Sequence, residues 1–306
     1  MNRIISVALT VIALAAASLF AHCSSDSRAG QTMGSLTAGE SVDSFHSETD
    51  KATPAQTTKS RLEEDSGADS RTRLIEKALT TAYPSFISGI SDNKVLFTDG
   101  TRMSFDDGTD KSFLQRLNNC DVEDMFSIPY RLPATAPEYL EDAGRMRSEE
   151  LFKKMYGSSA AQVRNNLVTV NWAGQKVTFN KNNGAADSLA AVAREIARHP
   201  ELKPYLKSSG TFNWRPVRGS ERMSAHSYGI AFDIAVDKSN YWQWESKSSD
   251  ELRHFKYKNR IPRKIVEIFQ KHGFIWGGAW FHYDTMHFEF RPDMLIYSAG
   301  LTEHDN

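Results

Sequence analysis

The stretch Ser224-Ala225-His226-Ser227-Tyr228-Gly229-Ile230-Ala231-Phe232-Asp233-Ile234-Ala235-Val236 decides how the chain is read. From Ile230 onward it alternates: Ile230, Phe232, Ile234 and Val236 fall on one face of a strand, Ala231, Asp233 and Ala235 on the other. A carboxylate flanked by two alanines has room beside it, so a ligand or ion can approach. Gly229 lets the chain turn and brings the His226 imidazole back over Asp233. Taken singly, His226 reads as a hydrogen-bonded loop histidine and Asp233 as a structural cap. Their pairing at this spacing is what suggests a site.

A second stretch, Gly273 to Phe290, ends in Asp284-Thr285-Met286-His287-Phe288-Glu289-Phe290. Phe288 and Phe290 share one face, His287 and Glu289 the other, and Asp284 stands at the edge of the regular strand. His226 and Asp233 from the first stretch and His287 from the second compose a three-ligand zinc set with a fourth position left for water. Bound zinc brings the water's pKa to about 7. A nearby carboxylate then takes the proton and later delivers it to a leaving amine.

Composition narrows the alternatives. The chain has 306 residues, 40% of them hydrophobic and 11% aromatic, which is ample for a core and excludes a wholly disordered protein. Thirty-seven basic against 38 acidic side chains leave a net charge of −1, which argues against a general nucleic-acid binder, because phosphate neutralisation needs a basic face. Two cysteines, Cys23 and Cys120, build neither a disulfide framework nor a four-thiolate zinc site. A metal must therefore be held mainly by His and carboxylates.

The N-terminus reads as an address. Asn2 and Arg3 precede the apolar run Ile4 to Ala17 and the exit Ser18-Leu19-Phe20-Ala21-His22-Cys23, which predicts a secretory signal over residues 1–22 and an exported, periplasmic or cell-envelope protein. Cys23 sits where a lipoprotein carries its lipidated cysteine, although His22 takes a place usually given to Gly, Ala or Ser. Cleavage after Ala21 is the competing outcome. A lipid on Cys23 would be the one membrane attachment. Residues 23–72 are rich in Ser and Thr with Phe45 as the one aromatic, and read as a disordered tether.

Residues 73–119 are expected to form a helix from Leu74 to Tyr83, then a hairpin across Thr98-Asp99-Gly100-Thr101. Ser148 reads as the cap of a helix that Gly157 stops, and Val168 to Phe179 as a hairpin around Ala173-Gly174. Periodicity predicts helices over Asp187 to Arg198 and Arg263 to Lys271. Helices mixed with hairpins, without a regular βαβ alternation, give the α+β class.

The pairing of His226-x6-Asp233 with Asp284-x2-His287 resembles the zinc peptidases of the M15 family, the D-alanyl-D-alanine carboxypeptidase and L-alanyl-D-glutamate endopeptidase group. Phe212-Asn213-Trp214-Arg215, Ser224 to Asp233, and Met286 to Phe290 carry the likeness, which runs from about Asp121 to Pro292 and takes in Gly144-Arg145. The resemblance implies zinc held by His226, Asp233 and His287, and Asp284 as general base. It further implies that Arg215 engages the substrate near the scissile bond and that Ser224 orients a ligand or substrate. It implies a Hedgehog/DD-peptidase-like fold over 120–306, a small antiparallel sheet with packed helices. Residues 73–119 would be an N-terminal extension. The expected partner is a peptidoglycan peptide. Asp284, in a place where carboxypeptidases more often carry Glu, leans toward cleavage of the L-alanyl-D-glutamate bond. A D-alanyl-D-alanine carboxypeptidase and a non-catalytic wall-binding module of the same fold are the rivals. His282 reads as a histidine at the surface or supporting the site from outside, Glu289 as orienting His287 or as a structural salt bridge, and Tyr241, Trp242 and Trp244 as a sugar- or peptide-stacking wall or, more commonly, packed aromatics.

Overall fold

The computed structural model describes residues 69–304. The signal, the candidate lipid anchor Cys23 and most of the tether lie outside these residues.

The sheet that matters is four-stranded and antiparallel, in the order β6 (Ser208–Gly210), β7 (Ala231–Ile234), β9 (His287–Phe290), β8 (Phe274–Trp276). Its apolar face carries Phe232 and Phe288, which are cross-strand partners. Phe288 stacks on Phe269 of helix α7 (Arg263–Lys271) at 3.9 Å between ring centroids, and Phe232 meets Trp172 edge-on at 4.6 Å. Aromatic pairs of this kind add to the burial energy of the core and fix which face is which. Trp172 belongs to the hairpin β4 (Leu167–Trp172)/β5 (Gln175–Asn180). Its two-residue loop, Ala173 and Gly174, has φ of 46° and 81°, as the hairpin reading required. Helix α5 (Ala185–Ile196) buries Leu189, Val192 and Ile196 in the same core.

Helix α3 (Glu149–Tyr156) lies where expected and ends at Gly157, but the Ser148 hydroxyl makes no capping bond. Strand β7 is shorter than its alternation suggests. Ala235 turns to φ 48°, a short 3₁₀ turn follows over Val236–Lys238, and Val236 is exposed instead of continuing the apolar face.

The N-terminal segment is fused to the rest of the described chain. Helix α1 covers residues 69–82, beginning inside the stretch read as tether, with an Asp69–Arg73 pair in its first turns. The hairpin β2 (Lys94–Phe97)/β3 (Arg102–Ser104) gains a third strand, β1 (Ile87–Ser91), through a turn at Asp92-Asn93 with φ of 52° and 55°. The capped helix α2 (Phe113–Asn118) follows. Leu74 of α1 packs so closely on the C-terminal helix α8 (Pro292–His304) that a Cβ at Gly300 would clash with it. Tyr83 donates to Asp293 Oδ1 at 2.7 Å, and Asp293 is clamped by the buried Arg291 at 2.9 Å. One continuous apolar core spans α1, the three-stranded sheet and the four-stranded sheet with its helices.

Candidate metal centre

Cross-strand register builds the site. Asp233 on β7 is the direct partner of His287 on β9, and Ala231 that of Glu289, so all four side chains share the polar face of the sheet. Ala231 is small, which leaves Glu289 space to fold back on His287. His226 arrives from a 3₁₀ turn, Ala225–Tyr228, that the Ser224 hydroxyl caps by accepting from the His226 N–H. Gly229 ends that turn at φ 66°, and a Cβ there would sit 2.6 Å from Leu167, so only glycine permits the return toward β7.

The three donors meet at one point. His226 Nε2 lies 3.2 Å from Asp233 Oδ2 and 3.2 Å from His287 Nδ1, and His287 Nδ1 lies 2.9 Å from Asp233 Oδ1. The other nitrogen of each imidazole is engaged. His226 Nδ1 donates to the Thr211 carbonyl at 2.5 Å, and His287 Nε2 donates to Glu289 Oε1 at 2.9 Å, which Arg147 holds from behind at 2.9 Å. A carbonyl or carboxylate can only accept, so those contacts fix the protons outward and turn the remaining nitrogen lone pairs toward Asp233.

Two imidazole lone pairs and a carboxylate converging in this way call for a cation. The electrostatics agree. Burial works against charge on His287, yet its bonds to Asp233 and Glu289 push its pKa up to about 10, so a second proton sits on Nδ1 until a metal displaces it and frees that lone pair. Burial also opposes ionisation of Asp233, but the charge and hydrogen bond of His226, with those of His287, hold it well below the usual carboxylate range. Glu289 is likewise held down to about 2 despite burial, chiefly by Arg147 and by its bond to His287. These are the features of a His/Asp metal set whose histidines are oriented by outer acceptors.

Asp284 stands beside the set. An isolated bridge to Tyr241 and a bond from its N–H to the Gly277 carbonyl at 2.9 Å fix its backbone. Its Oδ1 is buried with no hydrogen-bond partner among the described residues. Burial, reinforced by the charge of Asp233, pushes its pKa up to about 7. A carboxyl so tuned exchanges a proton near neutrality.

The remaining residues divide. Ser224 acts locally, as the cap of the His226 turn. Arg215 is exposed, its Nη1 donates to the neighbouring Pro216 carbonyl at 3.1 Å, and it contacts none of the three donors among the described residues. His282 is fully buried, paired with Asp142 Oδ2 at 2.6 Å. Trp242 packs on Phe255 and His282, whereas Trp244 is half exposed beside Tyr241. Arg147 and Thr211 are additions that the sequence reading did not single out. The first lies next but one to Arg145 in a segment of the likeness. The second acts through its carbonyl, which no side-chain pattern can announce.

Residues 218–290 match a family model, Peptidase_M15_4, described as D-alanyl-D-alanine carboxypeptidase. The chain carries an M15 peptidase domain. The matched stretch holds His226, Asp233, Asp284 and His287 and begins after Arg215. No curated protein and no solved structure matches the chain. The match supports a peptidase domain of the kind that acts on peptidoglycan, and the fold is of the α+β class expected of it. His226, Asp233 and His287 form a group that could hold a metal ion.

Proposed function

We propose that the protein is an exported, zinc-dependent peptidase that hydrolyses the L-alanyl-D-glutamate bond of peptidoglycan stem peptides. The observation that carries this reading is the convergence of His226 Nε2, His287 Nδ1 and the Asp233 carboxylate, beside the unpartnered, raised-pKa carboxyl of Asp284. His226, Asp233 and His287 would hold the zinc. When bound, it supplies a Lewis acid and a water acidic enough to be deprotonated near neutral pH. Asp284 takes the proton of the attacking water and returns it to the amine nitrogen as the peptide C–N bond breaks. The Glu289–Arg147 pair keeps His287 in one tautomer throughout. A peptide of the wall is thus the partner, and export with anchoring through Cys23 is the matching location.

A second reading has its own support: the matching family model is described as a D-alanyl-D-alanine carboxypeptidase. Product masses from a defined stem peptide with added zinc separate the two. Release of L-alanine from the D-glutamyl product supports the endopeptidase, and release of D-alanine alone overturns it. His226→Ala is expected to lose both zinc binding and hydrolysis. Asp284→Ala is expected to keep zinc and lose about 10²–10⁴-fold in rate. Full activity in chelator would sink the zinc mechanism. Cell fractionation tests location, and a wholly cytoplasmic enzyme would refute export.

A further inference from the structure

Behind the triad runs a buried band of charge. Arg147 holds Glu289, and Arg145 holds Asp142 at 2.7 Å and Glu251 through two bonds of 2.9 Å each. Arg222 is the exception in this band. Its side chain is only 13% exposed, and the nearest carboxylate, Glu251 Oε1, lies 3.7 Å away and is already bonded to Arg145. Its Nε is buried with no partner, and its guanidinium makes no hydrogen bond among the described residues. A guanidinium carries five N–H donors, and burying it without acceptors is costly. Burial, with the charges of Arg145 and Arg147, pulls its pKa down to about 10, as expected for a cation crowded by like charge.

Its backbone is fixed four residues before His226, and its neighbour Glu251 lies 3.3 Å from the Nε2 of His282, two residues before Asp284. Arg222 lies on a tight return that leads into the His226 turn, pinned by the Val217 N–H to its carbonyl at 2.7 Å and by the Met223 N–H to Glu149 at 2.6 Å.

We propose that Arg222 anchors a free carboxylate on the substrate residue whose amine departs. This rests on the hydrolytic reading above and names what that substrate must carry. D-glutamate in a stem peptide continues through its γ-carbonyl and leaves its α-carboxylate beside the scissile nitrogen. A terminal D-alanine carries its carboxylate in the same place. Both bonds thus present the same anion, one carbon from the nitrogen that leaves. A guanidinium fork matches a carboxylate through two parallel bonds and matches a carboxamide poorly.

The test uses two dipeptides that differ at one group, L-alanyl-D-glutamate and its α-amide, L-alanyl-D-isoglutamine, titrated calorimetrically into the zinc-free protein. The acid is expected to bind about tenfold more tightly than the amide. Arg222→Gln is expected to abolish the difference by weakening the acid alone, with Arg222→Lys falling between, and thermal melts confirm that both variants fold. Should the Gln variant not fold, the Lys variant must still weaken the acid and spare the amide. Equal binding of acid and amide by the wild type, no binding of either, or an unchanged preference in the variants overturns the proposal. Mass-resolved cleavage of the same peptides by the zinc-loaded protein separates the two ideas. Cleavage without acid preference leaves the peptidase and removes the anchor, whereas acid preference without cleavage leaves the anchor and removes the peptidase.

Discussion

Ligand-type side chains crowd together in two parts of the molecule, with opposite consequences. Near the start of the peptidase half, Asp121 gathers with Asp106 and Asp107 and again with Glu123 and Asp124, as tightly as His226, Asp233 and His287 gather on the sheet. The acidic group has its cation built into the chain. Lys111 Nζ lies 2.8, 2.9 and 2.6 Å from Asp107, Asp121 and Asp124, and Arg116 reaches Asp124 at 3.2 Å. The triad has no Lys or Arg directed into its meeting point among the described residues. Its histidines turn their free nitrogens inward because Thr211 and Glu289 occupy the outer ones. Clustering alone does not make a metal centre. What distinguishes one is donors preorganised around a point that the chain leaves for an exchangeable cation.

Removing the built-in cation tests that contrast most severely. Lys111→Met leaves buried carboxylates uncompensated and is expected to cost about 3–5 kcal/mol in urea unfolding. The loss should be the same with and without zinc, because this cluster does not contribute to the metal centre. A zinc-dependent rescue of the variant would erase the distinction.

The outer acceptor of the triad gives a smaller effect on a different axis. Glu289→Gln keeps the shape but weakens the grip on His287, and is expected to lower zinc affinity about 10–100-fold. Competition with a chromophoric chelator measures it. An unchanged affinity would mean that the Arg147–Glu289 pair serves packing only.

How much of this was legible in the residues follows from which contacts are local. The alternation around Asp233 and around His287 reports strand faces directly, whereas His226 and Asp284, which lie outside the strands, stood out through the spacing that resembles the M15 peptidases. The register that sets Asp233 opposite His287 was not readable, because it depends on the pairing of strands far apart in sequence. Thr211 acts through its backbone, and Arg147 and Arg222 reach their partners across the fold, so no spacing rule points to them. Strand β1 was missed because Gly89, where the β1–β2 register slips, interrupts the apolar pattern, although Asp92-Asn93 carried the turn signal. Val236 misled in the other direction. A perfect alternation continued past the point where Ala235 turns the backbone away.

The mildest expected effect concerns Asp142, whose environment is as fully paired as that of Lys111, by Arg145 and His282. Asp142 is wholly buried, and burial alone would raise its pKa. Arg145 and the His282 bonds outweigh that and hold it down to about 2, against 3.8 for a free carboxyl. A carboxyl depressed in the folded state contributes its stability above the unfolded pKa and loses it as pH falls through the folded one. The difference is worth roughly 2 kcal/mol, present at pH 5 and draining away between about pH 4 and pH 2. Urea midpoints of the wild type and Asp142→Asn across that range give the contribution by difference, since other carboxylates titrate alike in both. The gap between the two proteins should narrow as the solution is acidified, because protonation makes the wild-type side chain as neutral as the amide. A gap that stays constant to pH 2 would show that Asp142 stabilises through shape and neutral hydrogen bonds. The contrast between a satisfied ion pair and an exchangeable cation site would then have to rest on Lys111 alone.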